Sequence, residues 1–330
     1  MTPRIHGGPD AQGVLPHDFS TCAHPLGPGP GAWQAVQAAD ARHYPDPEST
    51  ALRQRLAAHH GVAPDRVLVA ASASEFIQRI TATALALHAG PVIVPAQAYG
   101  DYAAAAQAWG RPLASAASAD AADLSHAALR WCADPGSPCG QDDPVPPKPN
   151  EVPTVLDRAY APLRVSGRSH WTPDDADAVF QLWTPNKALG LTGVRGAYVI
   201  APRHAPALLM ARLHALAPSW PMGAHAVAML HAWCEPGTAA WLAGSLPALA
   251  QARAALAAGL AERGFVLRHG AAPFICARVP LRWQDAARAL RKHGVAVRDC
   301  SSFGLPGHWR LNALPAASCT ALWRALEAVA

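Results

Sequence analysis

The sequence predicts an α/β protein: a large domain with a mostly parallel sheet between helices, followed by a small α+β C-terminal domain. Three observations carry that expectation. From Thr50 onward short apolar strands alternate with helical segments, the pattern of a parallel sheet covered on both faces, with ligands beyond the carboxyl ends of the strands. Near Pro236-Gly237 the alternation breaks, and a long Ala- and Leu-rich helical run leads into four short strands. The chain has 330 residues, 51% hydrophobic and 15% charged, enough for a substantial apolar core without disulfide or metal staples; this composition excludes a disordered or fibrous chain.

Residues 1–40, rich in Gly and Pro (HGGPDAQG, HPLGPGPGAW), are too broken for regular elements and read as an extended arm packing with the small domain. The large domain spans 41–235. TALRQRLAAHHG is an amphipathic helix with a glycine stop, DRVLVAAS a buried strand, and EFIQRITATALALHAG the next helix. GPVIVPA then precedes YGDYAAAAQAWG, TVLDRAY is an apolar strand ending in polar groups, and AVFQLWTPNKALG and VRGAYVIAP follow. The small domain, 236–330, opens with TAAWLAGSLPALAQARAALAAGLAERG. FVLRHG, FICARVP, VAVRDC and WRLNAL are its strands, with a helix around Trp283–His293 between two of them.

Twenty-seven Lys plus Arg against 23 Asp plus Glu leaves a net charge of +4 with the basic residues scattered, so no nucleic-acid surface is expected. The seven cysteines are odd in number and none forms a C-x-x-C pair, so no metal site is expected and a reducing cytoplasm is the natural location. The start lacks the apolar stretch of a signal peptide, and the uncharged run from Leu213 to Cys234 holds two prolines and three histidines, so neither targeting nor membrane spanning is expected. The partner is a small molecule.

The most informative stretch is LWTPNKALGLTGVRGAY, which places Thr184, Lys187 and Arg195 in a small-residue loop after an apolar strand. Lysines are mostly exposed, so the residues alone leave two readings open: a solvated lysine, or a Schiff-base lysine whose desolvated amine serves as nucleophile and base. Upstream, VLVAASASEFI puts Ser72, Ala73 and Ser74 between a strand and a helix, as an ordinary N-cap or as backbone N–H groups for an anion. AYGDY offers Tyr99, for core packing or ring stacking. TVLDRAY delivers Asp157 and Tyr160 at a strand end.

Taken together these motifs resemble the fold-type I pyridoxal-phosphate enzymes, of the histidinol-phosphate aminotransferase and threonine-phosphate decarboxylase branch, over nearly the whole chain. The resemblance implies pyridoxal 5'-phosphate (PLP) bound to Lys187 as the catalytic residue. Ser72, Ala73, Ser74, Thr184 and Arg195 are then its phosphate ligands, Tyr99 stacks on the pyridine, and Asp157 faces the ring nitrogen. Tyr160 and Ser137 lie at the ring oxygen, and Tyr44 crosses from the partner subunit of a homodimer to the phosphate. On the substrate side it implies Arg310 for the α-carboxylate, Arg298 as the second substrate-side arginine of the decarboxylase group, and His6 for a substrate phosphate. Three positions depart from the family pattern: Ser72 replaces Gly, Ser137 of ADPGSPCG stands where the family's Asn-Pro-Asn-Asn-Pro-type turn has its asparagine, and His24 of DFSTCAHPLGPGP replaces Asn.

The arm motif HGG and the RDCSSF segment are similar to those of the cobalamin-pathway members. The leading expectation is therefore decarboxylation of L-threonine O-3-phosphate to (R)-1-amino-2-propanol O-2-phosphate, with a histidinol-phosphate-type aminotransferase as the alternative and a catalytically degenerate binding subunit as the third.

Overall fold

The computed structural model describes residues 5–11, 13–117, 126–146 and 152–330; residues 1–4 and 12 of the expected arm lie outside them. Within the arm, β1 (His17–Asp18) and α1 (Pro30–Gln37) form regular structure, which corrects the reading of residues 1–40 as too broken for any. The helix starts with proline at its first position, where a missing N–H costs nothing, and buries Ala32 and Val36.

The large domain continues with α2 (Thr50–His60), β2 (Val67–Ala70), α3 (Ala73–Leu87), β3 (Val92–Val94), α4 (Gly100–Ala108), β4 (Leu113–Ser115) and β5 (Leu129–Ala133). After β6 (Thr154–Asp157), α5 (Pro173–Asp177), β7 (Phe180–Trp183), α6 (Pro185–Ala188), β8 (Ala197–Ile200), α7 (Ala207–Ala215) and α8 (Ala224–Trp233) complete it. The seven-stranded sheet has the order β2-β8-β7-β6-β5-β3-β4. It is parallel from β7 to β4, whereas β8 runs antiparallel to both β2 and β7. Strand order reverses at β3, where the chain leaves to one side for β4 and returns on the other as β5, and this opens a crevice at the carboxyl ends. Two of these strands carry weak sequence signals: β4 is three residues of LAS, and β5 has Arg130 inside it, although all five of its residues are buried.

Next, α9 (Pro236–Glu262) is one long helix whose Leu242 and Leu249 pack with the large-domain core, while Leu256 and Leu260 pack with the other. The small domain adds β9 (Val266–Leu267), β10 (Phe274–Arg278), α10 (Ala287–Lys292), β11 (Val295–Ala296), β12 (Arg298–Asp299), β13 (His308–Asn312) and α11 (Ala316–Ala328). VAVRDC, expected as one strand, divides in two: β11 pairs parallel with β1 of the arm, and β12 joins an antiparallel sheet of order β12-β13-β10-β9.

Those contacts hold the arm in place. Phe19 is fully buried in the small-domain core, its N–H bonds Ala296 O at 2.9 Å, and its carbonyl accepts from Asn312 N at 2.8 Å. Farther on, the arm meets the lysine loop: His24 N donates to Lys187 O at 2.9 Å and Gly29 N to Leu189 O at 3.0 Å. The contact requires glycine on both sides, since a Cβ on Gly27 would lie 2.9 Å from Gly190 Cα, and Gly190 has φ +67°. His24, which replaces an asparagine, is buried; Nδ1 accepts from Leu26 N at 3.2 Å, leaving Nε2 as the donor to Ser245 Oγ of α9 at 2.7 Å. Burial lowers the His24 pKa, consistent with a neutral ring.

Candidate active site

A cavity of about 690 Å³ opens at the carboxyl ends of the parallel strands, between the arm and the two domains. Thirteen of the fourteen residues singled out from sequence line it; Tyr44 does not. Tyr44 is 80% exposed and its ring packs at a tilt against Trp220, centroids 4.8 Å apart, so its own chain does not bring it to the site.

Register aligns the first set of groups. Asp157 ends β6 opposite Ala133 of β5 and Leu182 of β7, and the chain reaches Lys187 five residues after Leu182, through a proline-started turn. Asp157 is buried, accepting the Tyr102 hydroxyl at 2.6 Å and Ala159 N at 2.8 Å. Tyr102 lies flat on Trp131, centroids 4.2 Å apart at 6°. Burial, then the charge of Asp157, pushes its phenol well up, so it stays a donor. Tyr99 meets Tyr102 edge-on at 5.7 Å, and its own phenol is pushed up to about 12 by burial and by Asp101.

Lys187 places Nζ 5.4 Å from the centroid of the Tyr160 ring. Burial lowers its pKa most; Asp157 opposes the shift, and Arg195 and Arg310 add to it. An amine in such surroundings reaches its uncharged, nucleophilic form at lower pH than a solvated lysine. Burial pushes the phenol of Tyr160 well up, so it too stays protonated, and raises the thiol of Cys22; both are on the cavity wall.

At the other end stands the start of α3. Ser72 caps the helix, its Oγ accepting from Glu75 N at 3.1 Å; the extended backbone at this position accommodates serine in place of glycine without strain. The next N–H groups, of Ala73 and Ser74, have no acceptor inside a helix and favour an anion. Ser74 Oγ donates to Asp101 Oδ2 at 2.6 Å. Across the cavity Thr184 Oγ1 and Asn186 Oδ1 are buried without a hydrogen-bond partner. Arg195 is exposed on the cavity rim and makes no ion pair or hydrogen bond among the described residues.

The small domain contributes Arg298 and Arg310 to the cavity wall. Arg310 on β13 donates from Nη1 to Ser137 Oγ at 2.6 Å and from Nη2 to Ser20 O at 2.9 Å. Arg298, opposite it in the sheet, donates to Ile5 O at 2.6 Å and Ser302 Oγ at 2.7 Å. His6, half exposed, has Nε2 4.0 Å from Asp101 Oδ1 and its ring 5.9 Å from Tyr99. Among the described residues no cluster of His, Cys, Asp or Glu could hold a metal ion, and no helix is long and apolar enough to cross a membrane.

Sequence reasoning missed Tyr102, Asp101, Asn186, Cys22 and Asp143, all on the cavity wall. Tyr102 and Asp101 flank the recognised Tyr99 on one helical turn, which was a usable signal; the others had none. Asp143 accepts from Ala133 N at 2.8 Å, and burial chiefly, with Asp142 and Asp134 adding to it, pushes its carboxyl up to about 7. Between its unfolded pKa of about 3.9 and that value the folded chain binds more protons than the unfolded one, so stability falls as pH rises from about 4 to 7. Asp143→Asn is expected to melt with wild type at pH 4 and a few degrees above it at pH 8; equal melting temperatures at both would contradict the assignment.

These residues fit a phosphorylated pyridoxal. Free N–H groups at the start of α3, an orphaned hydroxyl and an arginine unpaired among the described residues share one cavity with a buried carboxylate and a desolvated lysine. Comparison with known proteins agrees. The family model for aminotransferase class I and II matches residues 27–329. Histidinol-phosphate aminotransferase 2 of Rhizobium meliloti is 30% identical over 329 residues, covering 94% of this chain and 92% of its own. Among solved structures, histidinol-phosphate aminotransferase of Sinorhizobium meliloti, in complex with pyridoxal-5'-phosphate, superposes with a TM-score of 0.75 at 23% identity over 93% of this chain and 88% of that one. L-threonine-O-3-phosphate decarboxylase of Porphyromonas gingivalis gives 0.79 at 19% identity over 94% and 98%; at these identities both structures speak for the fold. The chain belongs to the aminotransferase class I and II family, of fold type I, whose cofactor is pyridoxal 5'-phosphate.

Proposed function

We propose that the protein transfers an amino group between a phosphorylated amine of histidinol-phosphate type and a 2-oxo acid, reversing the order of the two expectations drawn from sequence. The observation that supports this is Lys187: a desolvated amine that shares the cavity wall with Asp157, Arg195 and Arg310 is suited to remove a proton from carbon. The relatives that cover nine-tenths of the chain at 30% identity are named as histidinol-phosphate aminotransferases, which favours this reading over decarboxylation.

In it, Ser72, the N–H groups of Ala73 and Ser74, Thr184, Arg195 and Tyr44 of the partner subunit hold the cofactor phosphate. Tyr99 covers the ring and Asp157, oriented by Tyr102, faces the ring nitrogen. Bound there, PLP supplies an electron sink for the bonds at the substrate's α-carbon. Lys187 Nζ takes the α-proton. Arg310 holds the carboxylate of the 2-oxo acid with its guanidinium fork, and Arg298 and His6 receive the phosphate of the amine substrate, which itself has no carboxylate. Ser137 Oγ accepts from Arg310, which leaves its own proton free to reach the ring oxygen in place of the asparagine amide.

Decarboxylation of threonine phosphate is the second reading, favoured by the arm: Ile5 and His6 reach the cavity through Arg298 and Asp101, as expected from the HGG motif. The two separate in one experiment. With PLP-loaded protein, L-histidinol phosphate is expected to convert the cofactor to its amine form, and 2-oxoglutarate to restore it, with no carbon dioxide. Carbon dioxide from L-threonine O-3-phosphate with the cofactor unchanged would instead establish the second reading.

A further inference from the structure

Asp101 puts a negative charge beside a cradle built for an anion. It lies in the first turn of α4, is only 5% exposed, and lines the cavity with Ser72, Ala73 and Ser74. Its Oδ2 takes the proton of the Ser74 hydroxyl at 2.6 Å, so Ser74 has only lone pairs left for the cavity. Its Oδ1 is buried and has no hydrogen-bond partner; His6 Nε2 stands 4.0 Å away, beyond hydrogen-bond range. Two acceptors thus share the cavity wall with the N–H groups of α3 that draw in an anion, Ser74 Oγ lying 3.4 Å from the Tyr99 hydroxyl as well. A fully ionised phosphate meets repulsion from them, whereas a phosphate that keeps one proton meets an acceptor for it. The second ionisation of a phosphate monoester lies near pH 6, so retaining that proton costs little at neutral pH.

We propose that Asp101 is a specificity-determining residue of the cofactor site: it holds one proton, taken from solvent, between Oδ1 and an oxygen of the bound phosphate monoester. This rests on the PLP reading. It deepens that reading by making binding at the cradle a proton-uptake step. The groups facing Asp101 are Ser74 from α3, Tyr99 and Tyr102 beside it in the chain, and His6 from the arm. Lys187, Arg195, Asp143 and Asp157 line the same cavity. Tyr99 and Tyr102 stay protonated through pH 6–9 because burial raises both phenols. The remaining groups are common to wild type and the variants below, so the difference between chains reports Asp101.

The test uses pyridoxine 5'-phosphate, an alcohol that leaves Lys187 unreacted, titrated into the full chain and into Asp101→Asn and Asp101→Ser, with circular dichroism confirming that the variants fold. From pH 7 to 9 the affinity of wild type is expected to fall about tenfold per pH unit relative to both variants. Calorimetry at pH 8 in two buffers of different ionisation enthalpy is expected to count about one more proton taken up by wild type. Parallel pH profiles with equal proton counts overturn the role of Asp101 and leave the cofactor reading standing. If wild type binds neither this probe nor PLP, with no PLP fixed by borohydride, both fall together.

Discussion

Lys187→Ala is expected to lower turnover about ten-thousandfold or more, because on the proposed reading one substitution removes both the covalent anchor and the base. The scaffold should survive it. The lysine occupies a short helix whose position is set by Pro185, by His24 N on the Lys187 carbonyl, and by the Gly27–Gly190 contact, none of which needs its side chain. Losing a buried amine also removes a group whose charged form burial disfavours, so the melting temperature should not fall. The phosphate cradle on α3 is untouched, and the cofactor should still bind, now without a covalent link. Borohydride treatment should therefore leave the cofactor's mass on the Lys187 peptide of wild type and on no peptide of the variant. A small primary amine added to the medium should recover part of the proton transfer. Turnover within tenfold of wild type would place the base elsewhere.

Asp157→Ala should cost about a hundredfold to a thousandfold in kcat, the scale seen when one preorganised electrostatic partner is removed from a site. Two hydrogen bonds, from Tyr102 and from the backbone of Ala159, aim this carboxylate before any ligand arrives, so its charge needs no reorganisation as the reaction proceeds. The same substitution strands the Tyr102 hydroxyl in a buried place, at about 1–3 kcal/mol of stability. Asp157→Ala,Tyr102→Phe removes both partners and should recover most of that stability while leaving kcat low. Comparing melting temperature with kcat across the two variants separates packing from chemistry; a double variant that recovered kcat as well would assign Asp157 a structural role alone.

Much of this site was legible in the sequence because its residues come in short runs whose spacing survives folding. Thr184, Lys187 and Arg195 occupy one loop, Asp157 and Tyr160 the end of one strand, and Ser72 to Ser74 one cap, so each run could be matched as a unit to the pattern of a known family. The arm was less legible. Its eight-residue helix lies among prolines and glycines, its two-residue strand has no period of its own, and both exist because β11 and the lysine loop receive them. β5 was hidden by Arg130, a charge that reads as exposed within a strand whose residues are all buried.

By itself the sequence determined the α/β class and the order of most strands and helices, and through its resemblance to a known family it implied the lysine, its companions and the cofactor. Apolar periodicity and turn chemistry are properties of neighbouring residues, and a motif carried on one loop keeps its spacing. The tertiary structure alone decided which way β8 runs, that VAVRDC is shared between two sheets, and that Ser137 meets Arg310 across 173 positions of chain. It also decided that Asp101 and Asp143 sit on the cavity wall. A carboxylate reads the same in a sequence whether it faces water or a buried hydroxyl, and only the packing of distant segments removes the water that makes the difference.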